Sequence, residues 1–161
     1  QFAGNIGFLS TGLGYNSNKL NYHLEILYGY VPKTVAGTYI HTITVKNYFP
    51  IGRYWIKNNQ ILIPYVGIAL SWEVGSNAFF RMPSHYPDGY YDFPKDIHAI
   101  AYGGIRLQHV FEDEVTGLRG IELFAEGGTL DVYIWYKAMS DQIKLRNIFS
   151  LALGVNFLLD Y

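Results

Sequence analysis

The last thirteen residues, FSLALGVNFLLDY, alternate without a break. Phe149, Leu151, Leu153, Val155, Phe157, Leu159 and Tyr161 fall on one side, with Ser150, Ala152, Gly154 and Asn156 on the other. A side-chain period of two is the mark of a β-strand with one apolar face. The same parity separates Leu20, Tyr22, Leu24, Ile26, Tyr28 and Tyr30 from His23 and Glu25 in the segment 20–30. It also separates Leu62, Val66, Ile68, Leu70, Trp72 and Val74 from Tyr65, Gly67, Ala69, Ser71 and Glu73 in 61–74. In 99–111, Ala99, Ala101, Ile105, Leu107 and Phe111 oppose Tyr102, Gly104, Arg106 and Gln108, and His109 interrupts the apolar row. Such a chain is predicted to be all-β, antiparallel and built from long strands.

Three further segments alternate less cleanly. Residues 38–48 set Thr42, Thr44 and Lys46 against Tyr39, Ile43 and Val45, with His41 on the apolar side. Residues 120–136 are read as one strand whose phase changes at Gly127-Gly128, with Leu130, Val132, Ile134 and Tyr136 taking over the apolar face through a glycine bulge. A similar phase change is read in 4–15. Between the strands lie turn-forming stretches and one long irregular segment, 75–97. With 161 residues and neither linker nor repeat, residues 1–161 are expected to form a single domain.

Alternation does not say which face points inward. A soluble lipocalin-type carrier shares the period with its apolar side inside, but the Gly-x-Trp usual near the start of such carriers is missing here. Three features favour the opposite orientation. The strand-centre charges Glu25, Lys46, Arg106, Glu122, Glu126 and Arg146 all lie on the face opposite the apolar one, where they can pair inside a barrel. Aromatic residues, among them Tyr28, Tyr30, Tyr39, Tyr48, Trp72, Tyr136 and Tyr161, gather toward strand ends, as interfacial girdles require. Strands of ten to thirteen residues also match the ~9–11 of a tilted membrane crossing. Charged residues are sparse, 12 basic and 13 acidic, against 15 Tyr, 10 Phe and 3 Trp. The longest nearly apolar stretch, 61–72, is too short for a membrane helix, which needs ~20 residues.

The alternation Val155, Phe157, Leu159, Tyr161 resembles the terminal-strand signal of bacterial outer-membrane barrels. IPYVGIALSW, residues 63–72, is similar to the Pro-Tyr-hydrophobic-Gly strand opening of small eight-stranded barrels of the outer-membrane protein A and W type. The resemblance implies a closed, up-and-down transmembrane β-barrel, integral to the bacterial outer membrane and in contact with membrane lipid, including lipopolysaccharide. The chain opens on Gln1-Phe2 with no basic-then-apolar leader, in the manner of a processed exported protein. Seven strands are clear, whereas single-chain bacterial barrels have an even number. The eighth is expected at Phe49 to Lys57, FPIGRYWIK, with Pro50 as its weak point. If Tyr161 sits at the periplasmic side, strand 61–72 runs outward and segment 75–97 is extracellular.

Eight strands leave an interior just wide enough for side chains to fill. The inward set His23, Glu25, Lys46, Arg106, Glu122, Glu126, Asp131 and Arg146 is nearly self-neutralising. It is read as a paired structural plug in preference to an ion path, because buried charges persist only when paired. Glu122 and Glu126, four residues apart on a strand, are separated by ~13 Å, too far for a glycosidase pair. His41 and His109 fall on the outer wall. In size and pattern the chain also resembles outer-membrane lipid A deacylases, whose wall carries a Ser, a His and an acid. Their His-x-Ser spacing is absent here, since Glu25, Ile43, Pro87, Ile100 and Phe111 follow the five histidines at that distance.

No metal or cofactor is expected: cysteine is absent and only His23 and Glu25 approach ligand spacing. A net charge of −1 gives no basis for nucleic-acid binding. The best remaining candidate for recognition is the segment 75–97, where Tyr86, Tyr90, Tyr91 and Phe93 offer flat contact area to a glycan or protein and Asp88-Gly89 a turn to present them, the alternative being that these aromatics pack as an inert lid on the barrel. The expected role is a non-enzymatic barrel, structural or accessory to an outer-membrane protein partner, with a lipid-modifying enzyme as the alternative.

Overall fold

A computed structural model describes residues 1–17, 22–74, 96–115, 117–140 and 144–159. The strands are β1 (Phe2–Ala3), β2 (Leu9–Ser17), β3 (Tyr22–Val31), β4 (Ile40–Pro50), β5 (Tyr54–Lys57), β6 (Gln60–Val74), β7 (Ile97–Val115), β8 (Leu118–Leu130) and β9 (Ser150–Leu159). Neighbours pair antiparallel in the order β4-β3-β2-β1-β9-β8-β7-β6-β5, and a β4–β6 ladder from His41↔Val74 to Pro50↔Tyr65 closes the sheet. The result is an eight-stranded antiparallel barrel with β5 outside the ring. The predicted all-β closed barrel is therefore present.

The even strand number arises at a different place from the one expected. Residues 4–15 are not one bulged strand. The chain turns back on itself between β1 and β2, with Ala3 at φ 59° and Gly4 at φ 85°. The Ala3 N–H donates to Phe8 O (2.9 Å), and the Phe8 N–H donates to Tyr30 O (3.0 Å). Phe2–Ala3 is the eighth strand, seated between Leu9 and Leu153. The segment 49–57 does not cross the barrel: after Pro50 and a break at Ile51–Arg53, β5 resumes along the same edge of β6, Tyr54 opposite Leu62 and Lys57 opposite Gln60. It is the lower continuation of β4, turned at Asn58-Asn59 into a hairpin with β6.

Two other expectations are corrected. The strand read through 136 ends at Leu130, and Asp131–Met139 is helix α2. Leu130, Val132, Ile134 and Tyr136 thus share no strand face. Asp131 starts the helix, with its carboxylate accepting from its neighbour's Val132 N–H (2.8 Å) and from the Ala99 N–H (3.1 Å) on β7. Arg146, expected on the terminal strand, lies in a 3-10 turn, Leu145–Asn147, before β9 begins at Ser150.

The connections divide by end. The β1–β2 bend, the β3–β4 link with the short helix α1 (Lys33–Ala36), the end of β6, the start of β7 and helix α2 after β8 all lie at one end, the loop end. The opposite turn end holds the β5–β6 hairpin and the short β7–β8 connection.

Polarity is inverted relative to a water-soluble domain. Ile68 and Leu151 are each 65% exposed on the wall, while Lys46 (0%) and Arg106 (1%) are sealed inside. Small residues make room for that interior. The Tyr102 ring lies over Gly67 and the Phe124 ring over Gly154, each glycine being its register partner on the next strand. An added Cβ would run into either ring.

Candidate functional site: a sealed charged core and two wall histidines

Strand parity brings the inner side chains of β3, β4, β7 and β8 to the barrel axis. Arg106 forks: Nη1 donates to Glu122 Oε1 at 2.7 Å and Nη2 to Glu25 Oε1 at 3.0 Å. Asn156 Nδ2 also donates to Glu122 Oε1, at 2.9 Å. Lys46 Nζ donates across the barrel to both oxygens of Glu126, at 2.7 and 2.9 Å, and to Gln1 Oε1 at 3.2 Å. The Tyr65 hydroxyl adds a 2.8 Å bond to Glu126 Oε2. Although Glu25 is the register partner of Lys46, the lysine reaches past it to Glu126 and leaves Glu25 to the arginine.

Aromatic rings fill the space between the pairs. The Arg106 guanidinium lies 3.7 Å from the Tyr48 ring centre, and His23 stacks on Tyr48 at 4.2 Å and 4°. His23 Nδ1 donates to Asn16 Oδ1 at 2.7 Å. Lys46 sits 4.5 Å from the Tyr102 ring centre. Cation–π contact of this kind strengthens when water is excluded. A gap near Gln1, Asn5, Lys46 and Glu126 admits about one water. Among the described residues, charged pairs and aromatic rings thus occupy the barrel axis.

Of the eight residues expected in the interior network, His23, Glu25, Lys46, Arg106, Glu122 and Glu126 are brought together. Asp131 and Arg146 are not. Asp131, at the loop-end rim, lies 3.5 Å from His98 Nδ1, and Arg146 is exposed in its turn. Tyr48, expected in a girdle, is instead a buried inner residue. Its shared parity with Lys46 could have revealed this, as the parity of Phe124 with Glu122 could have for that ring.

His41 and His109 do lie on the outer wall. The Tyr28 hydroxyl hydrogen-bonds His41 Nδ1 at 2.5 Å, and Tyr30 and Tyr39 continue the aromatic patch toward the loop end. His109 is exposed and meets only the edge of Phe111 among the described rings. Tyr86, Asp88, Tyr90, Tyr91 and Phe93 lie outside the described residues. Among the described residues no group of three His, Asp or Glu is placed to hold a metal. No helix there is long and apolar enough to cross a membrane, which bears on helices alone.

Comparison with family models, with curated proteins and with solved structures returns no match.

Proposed function

We propose that the chain is an integral β-barrel of the bacterial outer membrane, without an open pore. In this reading it serves as a structural or binding subunit, accessory to a cell-envelope complex, through its outer wall and segment 75–97. One observation carries the proposal: aliphatic rows cover the outside of every long barrel strand while the ion pairs are sealed within. A continuous apolar wall is far larger than the few hundred Å2 a soluble monomer leaves open, and hydrocarbon is the solvent in which it costs nothing. Closing the sheet also leaves few strand edges to face lipid. The distribution of long connections at one end and short turns at the other fits an extracellular loop end and a periplasmic turn end.

The urea-unfolded chain, diluted into detergent micelles or phospholipid vesicles, is expected to regain β-sheet circular dichroism and to migrate differently on gels with and without heating. Dilution into plain buffer is expected to yield aggregate. A monomer that folds in plain buffer would refute the membrane reading.

The Tyr28–His41 bond favours one second reading, an outer-leaflet lipid-modifying activity, because a phenol and an imidazole in contact can pass a proton at the lipid interface. Lipid A mass spectra with and without the protein separate the two. The subunit reading expects an unchanged acyl pattern, and a change abolished by His41→Ala would favour the enzyme. The small-ligand carrier is disfavoured, since among the described residues charged pairs and rings occupy the axis.

A further inference from the structure

At the loop end the apolar surface does not stop with the strands. In α2, Tyr133, Ile134, Trp135 and Tyr136 are consecutive, and at about 100° per residue they point to nearly every side of the helix. Each is at least 43% exposed, Met139 reaches 69%, and no residue of the helix is buried. In a water-soluble protein a helix that is apolar all round belongs in the core. This one is outside. Its nine residues span about 13 Å, less than half of a hydrocarbon layer of ~30 Å, so it does not cross one. Asp131 ties its first turn to β7, through the Ala99 N–H and His98. The environment that suits such a helix is a lipid headgroup layer, where Tyr and Trp rings rest on the acyl boundary and their O–H and N–H groups meet polar headgroups.

Charge at the same end is sorted. Among the described residues there, the carboxylates Glu73, Asp96 and Asp131 are half-buried, whereas the exposed charges are Lys33, Lys144 and Arg146, all cationic. Lys144 precedes the 3-10 turn that leads into β9, and Arg146 lies within it. Three residues after Arg146 the outward apolar row begins, with Phe149 and then Leu151 and Leu153 on β9. Because β8 and β9 pair up to Gly128↔Ser150, the root of α2 and this turn stand side by side at the rim. With the wall in a bilayer, two cations just above its apolar row lie at the depth of the lipid phosphates.

We propose that this corner of the barrel, α2 with Lys144 and Arg146, binds anionic phospholipid in the leaflet at the loop end. The aromatic helix lies in the headgroup layer and the two cations pair with the phosphate. A zwitterionic headgroup carries the same phosphate but brings its own ammonium, so the cations confer a preference for the anionic kind alone. The inference rests on the membrane reading, and comparing lipids around a barrel already inserted separates the two.

Trp55→Phe/Trp72→Phe leaves Trp135 as the sole tryptophan of the chain. In phosphatidylcholine vesicles its emission is expected to be quenched more by lipid brominated near the headgroup than by lipid brominated near the chain ends. Spin-labelled phosphatidylglycerol is expected to quench it at least about threefold more effectively than spin-labelled phosphatidylcholine at equal mole fraction. Adding Lys144→Gln and Arg146→Gln is expected to abolish that preference. Lys33→Gln, in the β3–β4 link on the far side of the barrel, is expected to leave it unchanged, as is inorganic phosphate at matched ionic strength. An indole quenched freely by acrylamide in the water and untouched by brominated lipid would place α2 off the membrane and overturn the proposal. Equal quenching by the two spin-labelled lipids would remove the selectivity and overturn it too. So would a preference that Lys33→Gln also lowers, which belongs to overall charge, or one that inorganic phosphate abolishes, which belongs to a free anion. Each of these results leaves the barrel folded in vesicles and the membrane reading intact.

Discussion

Arg106 is the residue on which the interior turns. It holds Glu25 and Glu122 with one fork and presses its guanidinium plane on Tyr48, so its removal takes from two buried carboxylates the cation they share and from the Tyr48 ring one of its contacts. Breaking one side of such a cluster costs more than the cluster contributes, because the remaining charges stay buried. Arg106→Met is expected to lower stability by about 3–5 kcal/mol. Arg106→Lys, which keeps the charge but loses the two-pronged geometry, is expected to fall between. Urea midpoints in micelles measure both, and a Met variant within about 0.5 kcal/mol of the parent would show that the core is not held by this fork. Lys46 and Glu126 form the second pair, and with Tyr65 and Tyr102 they fill the remaining axis. Strand parity alone placed six of the eight expected core residues, because a period of two leaves no third direction for a side chain. Asp131 and Arg146 escaped it because neither is in a strand, and parity has meaning only there.

At the scale of elements, the β4–β5–β6 unit gives the clearest test. Tyr54, Trp55, Ile56 and Lys57 are all exposed, on both faces, as befits a hairpin that projects past the barrel rather than crossing it. Ile56→Cys is expected to react with a water-borne, membrane-impermeant maleimide once the protein is folded in vesicles. Protection of that thiol by lipid would restore 49–57 as a crossing strand. The clean alternation of β3, β6, β7 and β9 was readable since each has one wall face and one inner face throughout. The errors fall where a short stretch alternates for other reasons. DVYIWYKAM carries apolar residues at a two-residue spacing, yet Asp131 stands in the first turn of a helix, where its carboxylate accepts from the Val132 amide and complements the helix dipole. FPIGRYWIK is apolar enough for a strand, yet its break after Pro50 keeps it on the edge already occupied by β4. The two-residue β1 carries too few residues for any periodicity to register.

For the whole molecule, the central claim is that the wall is solvated by hydrocarbon and the axis by paired charge. A neighbouring pair on β6 reports it directly, Ile68 facing out and Ala69 facing in toward Lys46. Ile68→Cys and Ala69→Cys, each carrying a nitroxide in the vesicle-inserted protein, are compared for collisions with oxygen, which concentrates in lipid, and with a water-soluble nickel chelate. The label at 68 is predicted to collide with oxygen in strong preference to the chelate, and the label at 69 to be shielded from both. A label at 68 that meets the chelate as freely as oxygen would contradict the account.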